Sequence, residues 1–183
     1  MAERKIYLVR HGIAEDVSAT GADFDRALTA PGRQKMKEAA SGLRAIGAAP
    51  GRILTSPYRR AQQTADILAK VLQPRAQETW KILGCGVAIE KLLAEIEALD
   101  PSEDLMLVGH EPDMGAILAT FLTGRPDGFW THFRKGAVAC VSGSMLPPQS
   151  RSHLEWFERA AVLVQAGRGR DLLPHSVVPK ICT

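Results

Sequence analysis

Short apolar runs that stop abruptly at polar or charged residues recur along this 183-residue chain, and they constrain its fold more than any other feature. Residues 6–9, 52–54, 105–108 and 137–141 are too short for helices and read as buried strands. Longer stretches with helical spacing lie between them. One follows Thr29, a capping residue, with Pro31 in its first turn. It places Met36, Ala40, Leu43 and Ile46 on one face and stops at Gly47. A second is expected to take Ser56 as its cap and Pro57 as its first position, turning Ala61, Ala65, Leu68 and Leu72 inwards. A third covers 87–99 through Leu92, Ile96 and Leu99, and a fourth begins at Pro112 with Ile117, Phe121 and Leu122. Strands separated by helices imply an α/β fold, a three-layer α/β/α sandwich around a mainly parallel central sheet. The chain reads as a single domain over 1–183, with a packed helix around 160–166 in the tail.

The composition narrows the partners. Lysine and arginine total 23 against 20 acids, and a net charge of +3 is too small to argue for nucleic acid or an anionic membrane. No apolar run approaches the roughly 18 to 20 residues of a spanning helix, and the start of the chain lacks a signal-peptide core. Cys85, Cys140 and Cys182 are odd in number and lack CxxC spacing, so they are expected to be packed or incidental thiols. A reducing cytoplasm is the expected location. The charge is uneven, however, with 13 basic and 7 acidic residues in positions 1–75 against 2 and 9 in 76–122. The basic first part is therefore the expected place of an anion site.

Parallel sheets bind ligands beyond the carboxyl ends of their strands, where residues that directly follow a strand share one crevice. The first strand runs into Arg10-His11-Gly12, the second into Ser56-Pro57-Tyr58-Arg59-Arg60, and residues 105–108 into Gly109-His110-Glu111-Pro112. Two imidazoles and two or three guanidiniums, with no thiolate or lysine base among them, suit phosphoryl transfer. Arginine offers a rigid fork of donors to phosphate oxygens and a field for charge spread in the transition state. One neutral histidine can attack phosphorus and form a covalent phosphohistidine, while the other, protonated, clamps the phosphate. Arg59 and Arg60 also sit where a helix macrodipole disfavours cations and its free amides favour an anion, a conflict that a bound phosphate resolves.

These blocks, together with Leu28-Thr29 and Gly32-Arg33 and with Ala61-Gln62-Gln63-Thr64, resemble the histidine phosphatase superfamily, and within it the SixA-type phosphohistidine phosphatases. The resemblance spans about 4–158, includes a strand around 154–157, and leaves 159–183 as a C-terminal extension. It implies that His11 is the phosphate-accepting nucleophile, that Arg10, Arg60 and His110 hold the phosphoryl group, and that no cofactor or metal is required. Water would then hydrolyse the phosphoenzyme. Arg59 is expected to be solvated, Ser56 to act as a cap, and His132, His153 and His175 to be surface or structural residues.

One departure from the family bears on the substrate. Many members that cleave phosphate esters carry a glutamate that protonates the leaving alcohol, whereas here the corresponding stretch reads Glu78-Thr79-Trp80-Lys81-Ile82-Leu83-Gly84. Glu78 is one candidate substitute, and Glu15, Asp16, Asp23, Asp25 and Glu111 stay open as donors. An alkoxide needs a proton to leave, while an imidazole with a pKa near ~6.5 departs easily. The expectation is hydrolysis of phosphohistidine on a protein, for which a histidine phosphotransfer domain is the family partner. Alternatives are a phosphomonoesterase acting on a small phosphate ester, and a non-catalytic module that binds a phosphorylated partner.

Overall fold

The computed structural model describes residues 3–143 and 152–168. Six strands form one sheet: β1 (Arg4–Arg10), β2 (Arg52–Thr55), β3 (Ala76–Thr79), β4 (Leu105–Gly109), β5 (Val138–Gly143) and β6 (His153–Glu158). Their order across the sheet is β3-β2-β4-β1-β5-β6. The pairs β2·β3, β2·β4 and β1·β4 are parallel, while β5 runs antiparallel to both β1 and β6. The expected mainly parallel sheet is thus present. The His175 and Cys182 positions lie outside the described residues.

Alternation along the central strands divides the core in two. Tyr7 and Val9 of β1 with Met106 and Val108 of β4 face a layer built by α1 (Ala30–Ala45), α2 (Arg59–Leu72) and α5 (Ala160–Gly167). Ile6, Leu8, Leu105 and Leu107 face the other layer, where α3 (Ile89–Glu97) and α4 (Asp113–Thr123) contribute Leu92, Ile96, Ile117 and Phe121. A sheet buried on both faces needs apolar residues of both parities, which is why these strands read as continuous apolar runs.

The helix signals act locally as anticipated at α1. The Thr29 hydroxyl accepts from the Gly32 amide at 3.0 Å, and Gly47 takes φ +81° just past the helix. Ile46 is a correction: it lies past the last turn and is 45% exposed rather than packed. Helix α2 is another, since it starts at Arg59 with Tyr58 in the cap position. Ser56 thus lies outside the helix, and its hydroxyl is free for another contact. Strand β3 escapes sequence reading because it is an edge strand whose residues alternate between half-buried and exposed, without an apolar run. At the opposite end of the sheet from the candidate site, Glu103 pairs with Arg52 and Arg75, and its carbonyl accepts from buried Arg4.

Candidate active site

The carboxyl ends of β1, β2 and β4 lie side by side, because Val9 pairs with Val108 and Thr55 with the same Val108. Chain direction then carries Arg10-His11, Ser56 and His110 out of the sheet at one edge. The His11 amide donates to the Gly109 carbonyl at 3.0 Å, and the Ser56 amide to the Val108 carbonyl at 2.9 Å, so these turns extend the ladder and are held rigidly. The imidazoles of His11 and His110 meet with ring centroids 5.1 Å apart.

His11 is only 5% exposed. Its Nδ1 lies 2.8 Å from the Gly12 carbonyl oxygen. A carbonyl can only accept, so Nδ1 carries the proton and Nε2 keeps its lone pair. Arg60 donates from Nε to that Nε2 at 3.3 Å. Burial above all pushes the His11 pKa down from 6.5 to about 3, and the cationic Arg60 and Arg10 push the same way. The ring is neutral at neutral pH. Gly12 permits this placement: a Cβ there would lie 2.7 Å from Met36 Cγ, and its amide donates to Thr64 Oγ1 at 3.1 Å.

His110 is 3% exposed, and its Nε2 lies 2.7 Å from Ser56 Oγ. Ser56 Oγ also accepts from the Tyr58 amide at 3.3 Å. The expected helix cap is therefore a histidine partner instead. Burial, then Arg60, lowers the His110 pKa to about 4, so in the free protein it is neutral rather than the protonated clamp anticipated from sequence. Tyr58 places its ring edge-on to His110 with centroids 4.8 Å apart, and the Arg60 guanidinium carbon lies 4.8 Å above the Tyr58 ring centre.

Arg10 joins from β1, donating through Nη1 to the Phe133 carbonyl, and Phe133 in turn donates its amide to Glu111 Oε1 at 3.3 Å. Arg10 Nε and His110 Nδ1 are buried without a hydrogen-bond partner among the described residues. Arg59, exposed at the first position of α2, does not join the cluster.

The carboxylates separate clearly. Glu78 is turned to Arg52 at the start of β2 and to Trp80 Nε1 at 3.1 Å, away from the histidines. Glu15 accepts from the Ala27 amide and Asp25 from the Thr20 hydroxyl, and Asp16 is exposed. Asp23 touches the cluster directly. Arg60 donates from Nη1 to its carbonyl at 2.7 Å and from Nη2 to Oδ2 at 3.0 Å. Hydrogen bonds from Arg26 first, and then Arg60, hold its carboxyl below the usual range. Glu111 is the opposite case, its pKa raised by burial. Cys140 is buried and Cys85 exposed, neither in a disulfide.

The sequence profile of the histidine phosphatase superfamily, branch 1, matches residues 6–84, the stretch that holds Arg10, His11 and Arg60. An uncharacterized protein of Picosynechococcus sp. is 33% identical over 142 residues, covering 76% of this chain and 86% of that protein. The chain belongs to the histidine phosphatase superfamily. Among solved structures, the protein histidine phosphatase SixA complexed with tungstate superposes with a TM-score of 0.76 at 24% identity, covering 87% of this chain and 99% of SixA. A mycobacterial glucosyl-3-phosphoglycerate phosphatase with inorganic phosphate gives 0.64 at 20%, covering 86% and 98%. This superfamily phosphatase thus shares its α/β fold with a protein phosphatase and with a metabolite phosphatase. Among the described residues no helix is long and apolar enough to cross a membrane.

Proposed function

We propose that this histidine phosphatase hydrolyses phosphohistidine on a protein, with His11 as nucleophile and Arg10, Arg60 and His110 as phosphate ligands. The observation that carries the reading is the state of His11: buried, neutral, with Nδ1–H bound to Gly12 and the Nε2 lone pair at the cationic cluster. Attack by Nε2 on phosphorus forms the N–P bond as the bond to the substrate imidazole breaks, and that ring departs with the electron pair. The exchange is between two imidazoles. A substrate ring that carries a proton on its second nitrogen departs as neutral imidazole, so it does not need the acid that an alkoxide does. Ser56 supports a donor role for His110, since its hydroxyl can donate to Nε2 and leave Nδ1–H for a phosphate oxygen. Arg10 Nε, buried without a partner among the described residues, suits the same oxyanion. Water then attacks phosphorus and returns His11 to its neutral form.

Glu78 lies turned away from the histidines, which weakens the case for ester cleavage through that residue. A second reading keeps a specific support: Glu111, next in sequence to His110 and with a raised pKa, has the character of an acid that could protonate a leaving alkoxide. Initial rates on a phosphohistidine-bearing phosphotransfer domain and on a panel of sugar and polyol phosphates separate the two. Turnover of the phosphoprotein with little on the esters is expected. Turnover of the esters alone would reject the proposal.

A further inference from the structure

Arginines that attract a phosphoryl group repel part of a phosphohistidine. The substrate ring leaves most readily when its second nitrogen carries a proton, and in that state the ring is a cation. Beside Arg10 and Arg60 such a ring is disfavoured unless an anion faces it. Asp23 is the carboxylate in direct contact with the arginine–histidine cluster. Its Oδ1 accepts from Arg26 at 2.7 Å and its Oδ2 from Arg60 at 3.0 Å, which leaves further acceptor sites on both oxygens. The side chain is 54% exposed although its partner Arg60 is buried, so it stands at the mouth of the site. Phe24, next in sequence and 48% exposed, packs on Tyr58 with centroids 5.0 Å apart, and Tyr58 meets His110. A carboxylate beside two aromatic rings suits a flat cation.

We propose that Asp23 is a specificity residue that accepts the N–H of the substrate's protonated imidazole while Phe24 and Tyr58 wall the ring. This rests on the phosphohistidine reading above. The step exchanges one imidazole for another on phosphorus. The P–N bond of the phosphoimidazolium breaks and its electron pair returns to the ring, which leaves neutral with its remaining N–H on Asp23. His11 Nε2 forms the new P–N bond and becomes the phosphoimidazolium, its Nδ1–H on the Gly12 carbonyl. Asp23 would do for the leaving ring what Gly12 does for the attacking one.

The test compares N-phosphoimidazole with p-nitrophenyl phosphate, a phosphate ester whose leaving group needs no proton. In Asp23→Ala and Asp23→Asn the ratio of the two kcat/KM values is expected to fall by about tenfold or more against the phosphoimidazole, with partial recovery in Asp23→Glu. An equal loss on both substrates would show that Asp23 acts only by holding Arg60, and unchanged rates on both would show that it does not meet the ring. Either overturns the inference. Thermal melting checks the fold of each variant, and the isosteric Asn change carries the test if the Ala protein unfolds. A wild-type enzyme that cleaves the ester and spares phosphoimidazole would instead defeat the functional reading itself.

Discussion

Arg60 Nε donates to His11 Nε2 across 3.3 Å, although 49 residues separate the two in sequence. The contact sets a cation on the lone pair proposed to attack phosphorus, keeping the ring neutral and oriented until a phosphate oxygen takes over the guanidinium. Arg60→Ala is expected to lower kcat/KM by about 10²- to 10³-fold, an effect in the range of lost transition-state donors. Arg60→Lys should recover little, because a point charge cannot reproduce the fork that engages His11 and Asp23 together. Steady-state rates of both variants check this.

If His11 carries the phosphoryl group, His11→Asn should abolish turnover to about 10³-fold or below wild type and eliminate acid-labile ³²P on the quenched protein. Tungstate should still bind through Arg10, Arg60 and His110, as calorimetry can show. Retained labelling in this variant would move the nucleophile elsewhere.

The pH dependence has a defined sign. His11 and His110 are lowered from 6.5 to about 3 and about 4, so below 6.5 the unfolded chain binds more protons than the folded one. Their full contribution to stability is present above 6.5 and is lost as pH falls towards the folded values. Each is expected to cost about 1.4 kcal/mol per pH unit in that window. Urea unfolding between pH 7 and pH 5 reads the slope, and NMR titration of the imidazoles should find both rings neutral at about pH 5.

Ser56→Ala removes the partner of His110 Nε2 in a fully buried position. Leaving that nitrogen unpaired is expected to cost about 1 to 3 kcal/mol in stability and to free the ring's tautomer, lowering kcat/KM by about tenfold. Denaturation curves and rates measured on the same preparations separate the two effects. Ser56→Thr, which keeps the hydroxyl, tests whether the bond or the space matters.

Away from the site, Gly42 of α1 lies against α5. A Cβ there would fall 1.7 Å from the Leu163 carbonyl oxygen, so the helices must separate to admit it. Gly42→Ala is expected to destabilise by about 1 to 3 kcal/mol, read as a lower melting temperature.

The convergence of Arg10, His11 and His110 was readable from sequence because it depends on local rules, whereas Arg60 rather than Arg59 was singled out by the resemblance to the family. A polar residue that directly follows an apolar strand emerges at the strand's carboxyl end, and parallel strands bring those ends together. The α1 boundaries and the two core faces follow in the same way from capping and from residue parity. Other features depend on where a side chain turns after leaving its element. Ser56 had the form of a helix cap, Glu78 that of a possible acid, and Asp23 was one carboxylate among six candidates; only packing directs them to His110, Arg52 and Arg60. Strand β3 belongs with these, since an edge strand without an apolar run is specified by its neighbour β2. Backbone periodicity is written in adjacent residues. The choice of partner for a polar side chain is a competition among groups 26 to 54 residues apart, and it is decided when the core fixes their distances.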